Sequence, residues 1–161
     1  MDTSRAINLF IGGISIPLPC FFPSISSVKT NLSPLEYLRL LLALKQPHFL
    51  ISAYDIYKSD INSQKKFSAL LKKASSVNTV VLLDSGNYEK YWKADPSWTP
   101  NHFASVLKSH TFQLAFSFDE KDSPSSKSRI ISSVEAGVLR DQHWSKGATI
   151  APIVHAPAPL L

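Results

Sequence analysis

The sequence has 161 residues, with 17 Lys and Arg against 12 Asp and Glu, a formal net charge of +5. Its 44% hydrophobic and 18% charged content excludes a disordered tail, and its length is enough for one domain, residues 1–161, with a real core. One cysteine, Cys20, excludes an internal disulfide framework and a multi-cysteine zinc site in these residues, which makes a reducing, cytoplasmic setting the expectation.

Residues 6–28 carry no charge and are long enough to raise the question of a membrane span. Pro17, Pro19, Pro23 and the Gly12-Gly13 pair answer it, because prolines this close together break a spanning helix. A lipoprotein signal ending at Cys20 is disfavoured by Pro19, which stands where such a signal needs a small residue. No membrane partner is expected. The basic balance, with a pI near 9.4, permits a nucleic-acid partner.

The same stretch ends in a first predicted strand, residues 18–27. Ser33 then reads as an N-cap, Pro34 as the first helical residue and Glu36 as the third, closing a capping box before an apolar run that Lys45 and Pro47 end. Residues 48–52 have the length and character of a buried strand. A second helix is predicted over 61–74 behind Asp60, with Phe67, Leu70, Leu71 and Ala74 on its apolar stripe. Residues 79–83 are continuously apolar, as strands covered on both faces are. A third helix over 99–110, a strand over 112–118, a fourth helix over 124–144 and a strand over 149–154 complete the chain. Pro152 points to an edge or a bulge in the last strand.

Strand-helix units of about 30 residues, four times over and followed by a fifth strand, predict an α/β fold with a parallel sheet. A complete (β/α)8 barrel needs about 250 residues, so the expectation is a partial TIM barrel, about five parallel strands and four helices, in a fragment or truncated form.

In parallel α/β folds, functional groups gather at the carboxyl ends of the strands. Those ends read as residues 24–27, then Tyr54-Asp55, Asp84-Ser85-Gly86, Asp119-Glu120 and His155. Asp84 and Asp119 would leave neighbouring strands about 5 Å apart. Two converging carboxylates can take different protonation states, one serving as acid/base and the other as an acceptor.

The run Leu82-Leu83-Asp84-Ser85-Gly86-Asn87-Tyr88 resembles the tRNA-guanine transglycosylase family, whose members make queuosine and archaeosine and whose relatives act on DNA. Phe116-Ser117-Phe118-Asp119-Glu120 is similar to that family's Phe-Asp-Glu strand end, Pro152-Ile153-Val154-His155-Ala156 to its Val-Gln-Gly strand end, and residues 17–24 to its first barrel strand. The matches stand in the family's order and span nearly the whole chain. The resemblance implies exchange of guanine for a 7-deazaguanine in tRNA or DNA, through a covalent aspartyl-sugar intermediate. It implies Asp84 as the catalytic acid/base group. It also implies Asp119 as acceptor for the guanine edge, Tyr88 as the stacking ring, Ser85 and Gly86 as the turn beside the base, and His155 in the substrate pocket.

The sequence departs from the family where Asn87 replaces a second glycine, and where Glu89 and His155 replace glutamines. The family's nucleophilic aspartate and cysteine-rich zinc site lie beyond the matched region, so no cofactor is expected in this chain. The chain alone should be inactive, with a homo- or hetero-oligomeric partner or further sequence completing the barrel. Two rival readings stand beside this one: a non-catalytic or degenerate barrel subunit acting in binding or assembly, and a glycoside hydrolase using Asp84 and Asp119. Lys58, Lys65, Lys66, Lys72 and Lys73 read as a solvated helix face, Cys20 as a buried strand residue, and Asp55 as a secondary candidate at the rim of the cleft.

Overall fold

The computed structural model describes residues 7–119 and 126–155. It opens with an antiparallel hairpin, β1 (Asn8–Ile11) and β2 (Ile14–Pro17). Gly12 and Gly13, both at positive φ, form the two-residue turn whose twist suits such a pair. Five strands then form a parallel sheet in chain order: β3 (Ser24–Ile25), β4 (His48–Ser52), β5 (Val80–Asp84), β6 (Leu114–Phe116) and β7 (Thr149–Ala151). Between them run α1 (Pro34–Ala43), α2 (Ala53–Lys58), α3 (Ile61–Ser76), α4 (Asn87–Trp92), α5 (Pro100–Ser109) and α6 (Lys127–Gln142).

The α/β class and the parallel sheet agree with the sequence reading. The expected helix starts hold at α1, whose Ser33–Glu36 capping box is complete, and at α3, where Asp60 accepts from the backbone of Asn62 and Ser63. Two elements differ in kind. The strand expected over 18–27 shrinks to β3, because closely spaced prolines supply no N–H to a ladder. Only the Pro23 carbonyl, accepting from Leu50 N at 2.9 Å, prolongs the pairing. Among the described residues six helices stand where four were expected, since α2 and α4, at six residues each, are too short to show a helical period. Cys20 lies between β2 and β3 rather than in a strand, and is only partly buried. Pro124, Glu120 and Ala156 lie outside the described residues.

Alternation along the strands gives the sheet two apolar faces. Ile25, Phe49, Ile51, Val81, Leu83, Ala115 and Ile150 meet Leu38 and Leu41 of α1, Phe67 and Leu71 of α3, and Phe103 and Leu107 of α5. Each of these Ile, Val, Leu and Phe side chains contributes roughly 1.5–3 kcal/mol through burial. The opposite face presents Val80 and Leu82 to Ile11 and Ile16 of the hairpin, with Leu50, Leu114, Phe116 and Phe22 packed around them. The α1, α3 and α5 helices thus pack on one face and the hairpin on the other. The carboxyl ends of all five parallel strands lie at one end of the sheet, where the candidate residues converge. No described helix is long and apolar enough to cross a membrane.

Candidate functional site

Register fixes the first part of the site. Ile25 pairs with Ile51 and Ser52 with Asp84, so one step beyond Ile25, Ser26 comes level with Ser52 and Asp84. These three belong to the face that carries Leu50 and Leu82, at its carboxyl-terminal rim. Asp84 is partly buried, and its carboxyl is pushed up to about 6 by burial and then by the charges of Glu89 and Asp119; N–H donation from Gly86 at 3.1 Å works against that rise. Glu89, on α4, is 2% exposed and takes a 2.5 Å hydrogen bond from Ser26 Oγ on Oε1.

Asp119 is treated in the opposite way. Ser85 Oγ donates to its Oδ1 at 2.9 Å and Asn87 Nδ2 to the same oxygen at 2.6 Å, while His155 Nε2 stands 2.7 Å from Oδ2. Burial favours the neutral acid, but the hydrogen bonds from Asn87, His155 and Ser85 prevail and hold the carboxyl below its usual range. An ionised carboxylate accepts and cannot donate, so Asp119 presents acceptor chemistry at neutral pH. Two carboxylates on adjacent strands therefore hold protons differently.

The loop between β5 and α4 sets these positions. Gly86, at φ +83, is the N-cap of α4, and a Cβ there would stand 2.5 Å from Tyr54 Cβ and 2.7 Å from Tyr54 N. The space freed by this glycine is filled by α2, not by a ligand. Ser85 is 2% exposed, and its carbonyl accepts from Trp98 Nε1 at 3.1 Å. Trp98 is fully buried and touches Tyr54, Tyr57, His102 and Phe118. The Tyr54 hydroxyl donates to Asp95 at 2.9 Å, and burial followed by that bond pushes it up to about 12. Asp55 corrects an expectation: it is 6% exposed, not at a rim, and it holds the Ser27 backbone N–H at 2.7 Å and the Ser27 hydroxyl.

A cleft of about 1160 Å³ opens beside this network, with Tyr88, Tyr91, Trp98, Pro100 and Phe118 as its apolar wall and Asn87, Asp119 and His155 among its polar lining. Tyr88 is 48% exposed and makes an edge contact at 6.1 Å with Trp92, four residues on along α4. Asp84, Ser85 and Gly86 do not line the cleft, whereas Asp119, Tyr88 and His155 do. The sequence reading missed Asn87 as a donor to Asp119, and Ser26 and Glu89 as partners. Asn87 and Glu89 stand three and five residues after Asp84, so the turn that placed Asp84 was the available signal.

No protein-family model matches the sequence, and no curated protein matches it either. The residues present do not make the cysteine-rich zinc site of the family resembled: Cys20 is the one cysteine, and no group of three or more His, Cys, Asp or Glu among the described residues is placed to hold a metal ion.

Proposed function

We propose that this chain carries the base-recognition half of a guanine-transglycosylase-type site, built on part of a (β/α)8 barrel and acting on a guanine base in tRNA or DNA. The sheet supports a barrel wall: strands joined in chain order with α1, α3 and α5 on one face are how such a wall is built, and the site lies at the carboxyl ends, where barrels keep their chemistry. A second chain or further sequence, in a cytoplasmic setting, would continue the sheet from β3 or β7.

One observation carries the functional reading. Asp84 and Asp119, on adjacent strands, are driven in opposite directions, the pattern that separates an acid/base group from a fixed acceptor. Asp119 accepts from the row of N–H donors on a guanine or 7-deazaguanine edge, with Tyr88 against the ring face. Asp84 ends the strand next to Asp119 but lies outside the cleft lining. Its acid/base role, a proton given to the departing base and one taken from the incoming base, therefore requires the base to reach past the cleft toward the end of β5. His155 orients Asp119, while Ser85 and Gly86 hold the turn. The glycosyl–enzyme bond of the resembled reaction is assigned to none of these residues.

Calorimetric titration of guanine and of 7-deazaguanine into the purified chain tests the reading. Tyr88→Phe should bind as wild type does, and Tyr88→Ala, which alters an exposed ring and leaves the core intact, should bind roughly tenfold more weakly. Asp119→Asn should also weaken binding. Undiminished binding in both Tyr88→Ala and Asp119→Asn would overturn the assignment of the cleft.

A further inference from the structure

Helix α4 turns its acid inward and its rings outward. Glu89 is buried, while Tyr88, Tyr91, Trp92 and, one residue past the helix, Lys93 are exposed. Tyr91 and Trp92 are 62% and 52% exposed. The three rings form one surface: the Trp92 ring centre lies 6.1 Å from that of Tyr88 and 5.6 Å from that of Tyr91, with edge contacts in both pairs. Aromatic side chains are usually packed away, and exposed apolar surface gathered in one place marks a contact site.

Cations frame the rings. Lys29, exposed on the loop between β3 and α1, places Nζ 4.3 Å from the Trp92 ring centre, and Lys90 lies 5.7 Å from that of Phe118 in the wall of the cleft. Neither lysine forms an ion pair among the described residues. The neighbouring acids are compensated: Asp55 is buried with Lys93 3.7 Å away, Asp95 stands 2.6 Å from Lys58, and Asp119 is held by Ser85, Asn87 and His155. The outward charge around the rings is therefore positive. The surface is continuous with the cleft, because Tyr88, Lys90 and Tyr91 belong to both.

We propose that the outer face of α4, together with Lys29, is a binding surface for unpaired RNA, with a nucleotide flanking the target base stacked on Trp92 and its phosphate at Lys29. Every base has a π face, so stacking on an exposed ring is favourable whatever the sequence. A cation–π contact at an exposed site is weak, so Lys29 yields the ring to a base and takes the phosphate instead. Folded RNA is the fitting polymer because its loops offer bases already unpaired, whereas duplex DNA must first be unstacked. A protein partner fits less well, since lysines are depleted from protein interfaces. The use of this surface beside the cleft rests on the base-recognition reading; its affinity for an unpaired strand does not.

The test is fluorescence anisotropy with the full chain and a labelled RNA hairpin whose unpaired loop contains no guanine. The hairpin should bind at least about tenfold more tightly than a blunt RNA duplex or a DNA duplex of the same stem. Trp92→Ala should weaken hairpin binding about tenfold, and Trp92→Phe should retain most of it. Lys29→Gln should reduce the slope of log K against log salt by about one. Trp92 is exposed, so neither of its variants disturbs the core. Equal binding of hairpin and duplex, an unchanged salt slope in Lys29→Gln, or wild-type affinity in Trp92→Ala would overturn the proposal. So would sedimentation in which Trp92→Ala splits a wild-type dimer while hairpin affinity is unchanged, which would make the patch a protein interface. Guanine titration separates the two readings. A chain that binds the hairpin through Trp92 but binds no guanine keeps this surface and overturns the base cleft, and the reverse result overturns the surface alone.

Discussion

His155, four residues beyond β7, places Nε2 2.7 Å from Oδ2 of Asp119 beyond β6, so one charge-assisted hydrogen bond ties the tips of neighbouring strands. Asp119 also holds Ser85 and Asn87, and it is therefore the common acceptor of two segments, the β5–α4 turn and the residues after β7. Its folded carboxyl lies below the value it has in the unfolded chain. A depressed carboxyl contributes stability that is present above the unfolded pKa, about 3.9, and is lost as pH falls through the folded value. Wild type should consequently lose more stability than Asp119→Asn in acid, from about pH 5 downward, in urea denaturation followed by circular dichroism. Parallel acid limbs for the two proteins would mean that the network adds nothing to the fold.

The sign reverses at Asp84. Its folded value, about 6, lies above the unfolded one, so the folded state binds the extra proton and stability falls as pH rises through the window between them. Above that window the ionised form burdens the fold by at most about 3 kcal/mol, at 1.36 kcal/mol per unit. Asp84→Asn should therefore stabilise the protein at pH 8 and have little effect at pH 4, with chemical denaturation at the two pH values as the check. A functional group that destabilises its own fold is expected where chemistry, not packing, has fixed the residue. Equal effects at both pH values would place Asp84 in an ordinary solvated turn.

Much of this arrangement was legible because it rests on local chemistry. Ser33, Pro34 and Glu36 announce α1, and the β-branched run before Asp84 announces a strand covered on both sides. The order of strand ends followed from alternation alone. The hairpin is signalled only by Gly12-Gly13 between Ile11 and Ile14, and the three prolines that follow mask that turn by pointing to a single later strand. At the candidate site, Asp84, Asp119 and His155 stand out as strand ends, whereas Tyr88 is singled out by the resemblance. Their partners do not stand out. That Gly86 packs on Tyr54, or that Ser26 holds Glu89 across 63 residues, depends on which helix lies over which loop, and no local pattern encodes that.

Trp98 carries a prediction about the loop. Its ring is fully buried among Tyr54, Tyr57, His102 and Phe118, and its Nε1 donates to the Ser85 carbonyl. Trp98→Phe removes part of the ring and leaves that carbonyl without its donor, for a loss of about 2–4 kcal/mol. Urea denaturation at neutral pH measures it. A loss of less than about 1 kcal/mol would mean that the loop repacks freely around the smaller ring.

Two glycines offer an internal control on the turn itself. Gly86 and Gly147 both have φ near +90, at +83 and +90, so alanine is conformationally disfavoured at each by about 1–2 kcal/mol. Their surroundings differ. A Cβ at Gly147 meets nothing within 4 Å, whereas at Gly86 it meets Tyr54 Cβ and Tyr54 N, one of them backbone that cannot rotate away. Gly147→Ala should thus show the conformational cost alone, and Gly86→Ala that cost plus displacement of α4 from α2, at least about 2 kcal/mol more. The displacement should also reach the site, because the Gly86 N–H donates to Asp84 and α4 carries Asn87, Tyr88 and Glu89. In a pH titration of the Asp84 side-chain carboxyl carbon by ¹³C NMR, Gly86→Ala should move the midpoint and Gly147→Ala should not. Equal losses of stability in the two variants would mean that Gly86 is required for its backbone angle only, and that the contact with Tyr54 does not position the turn.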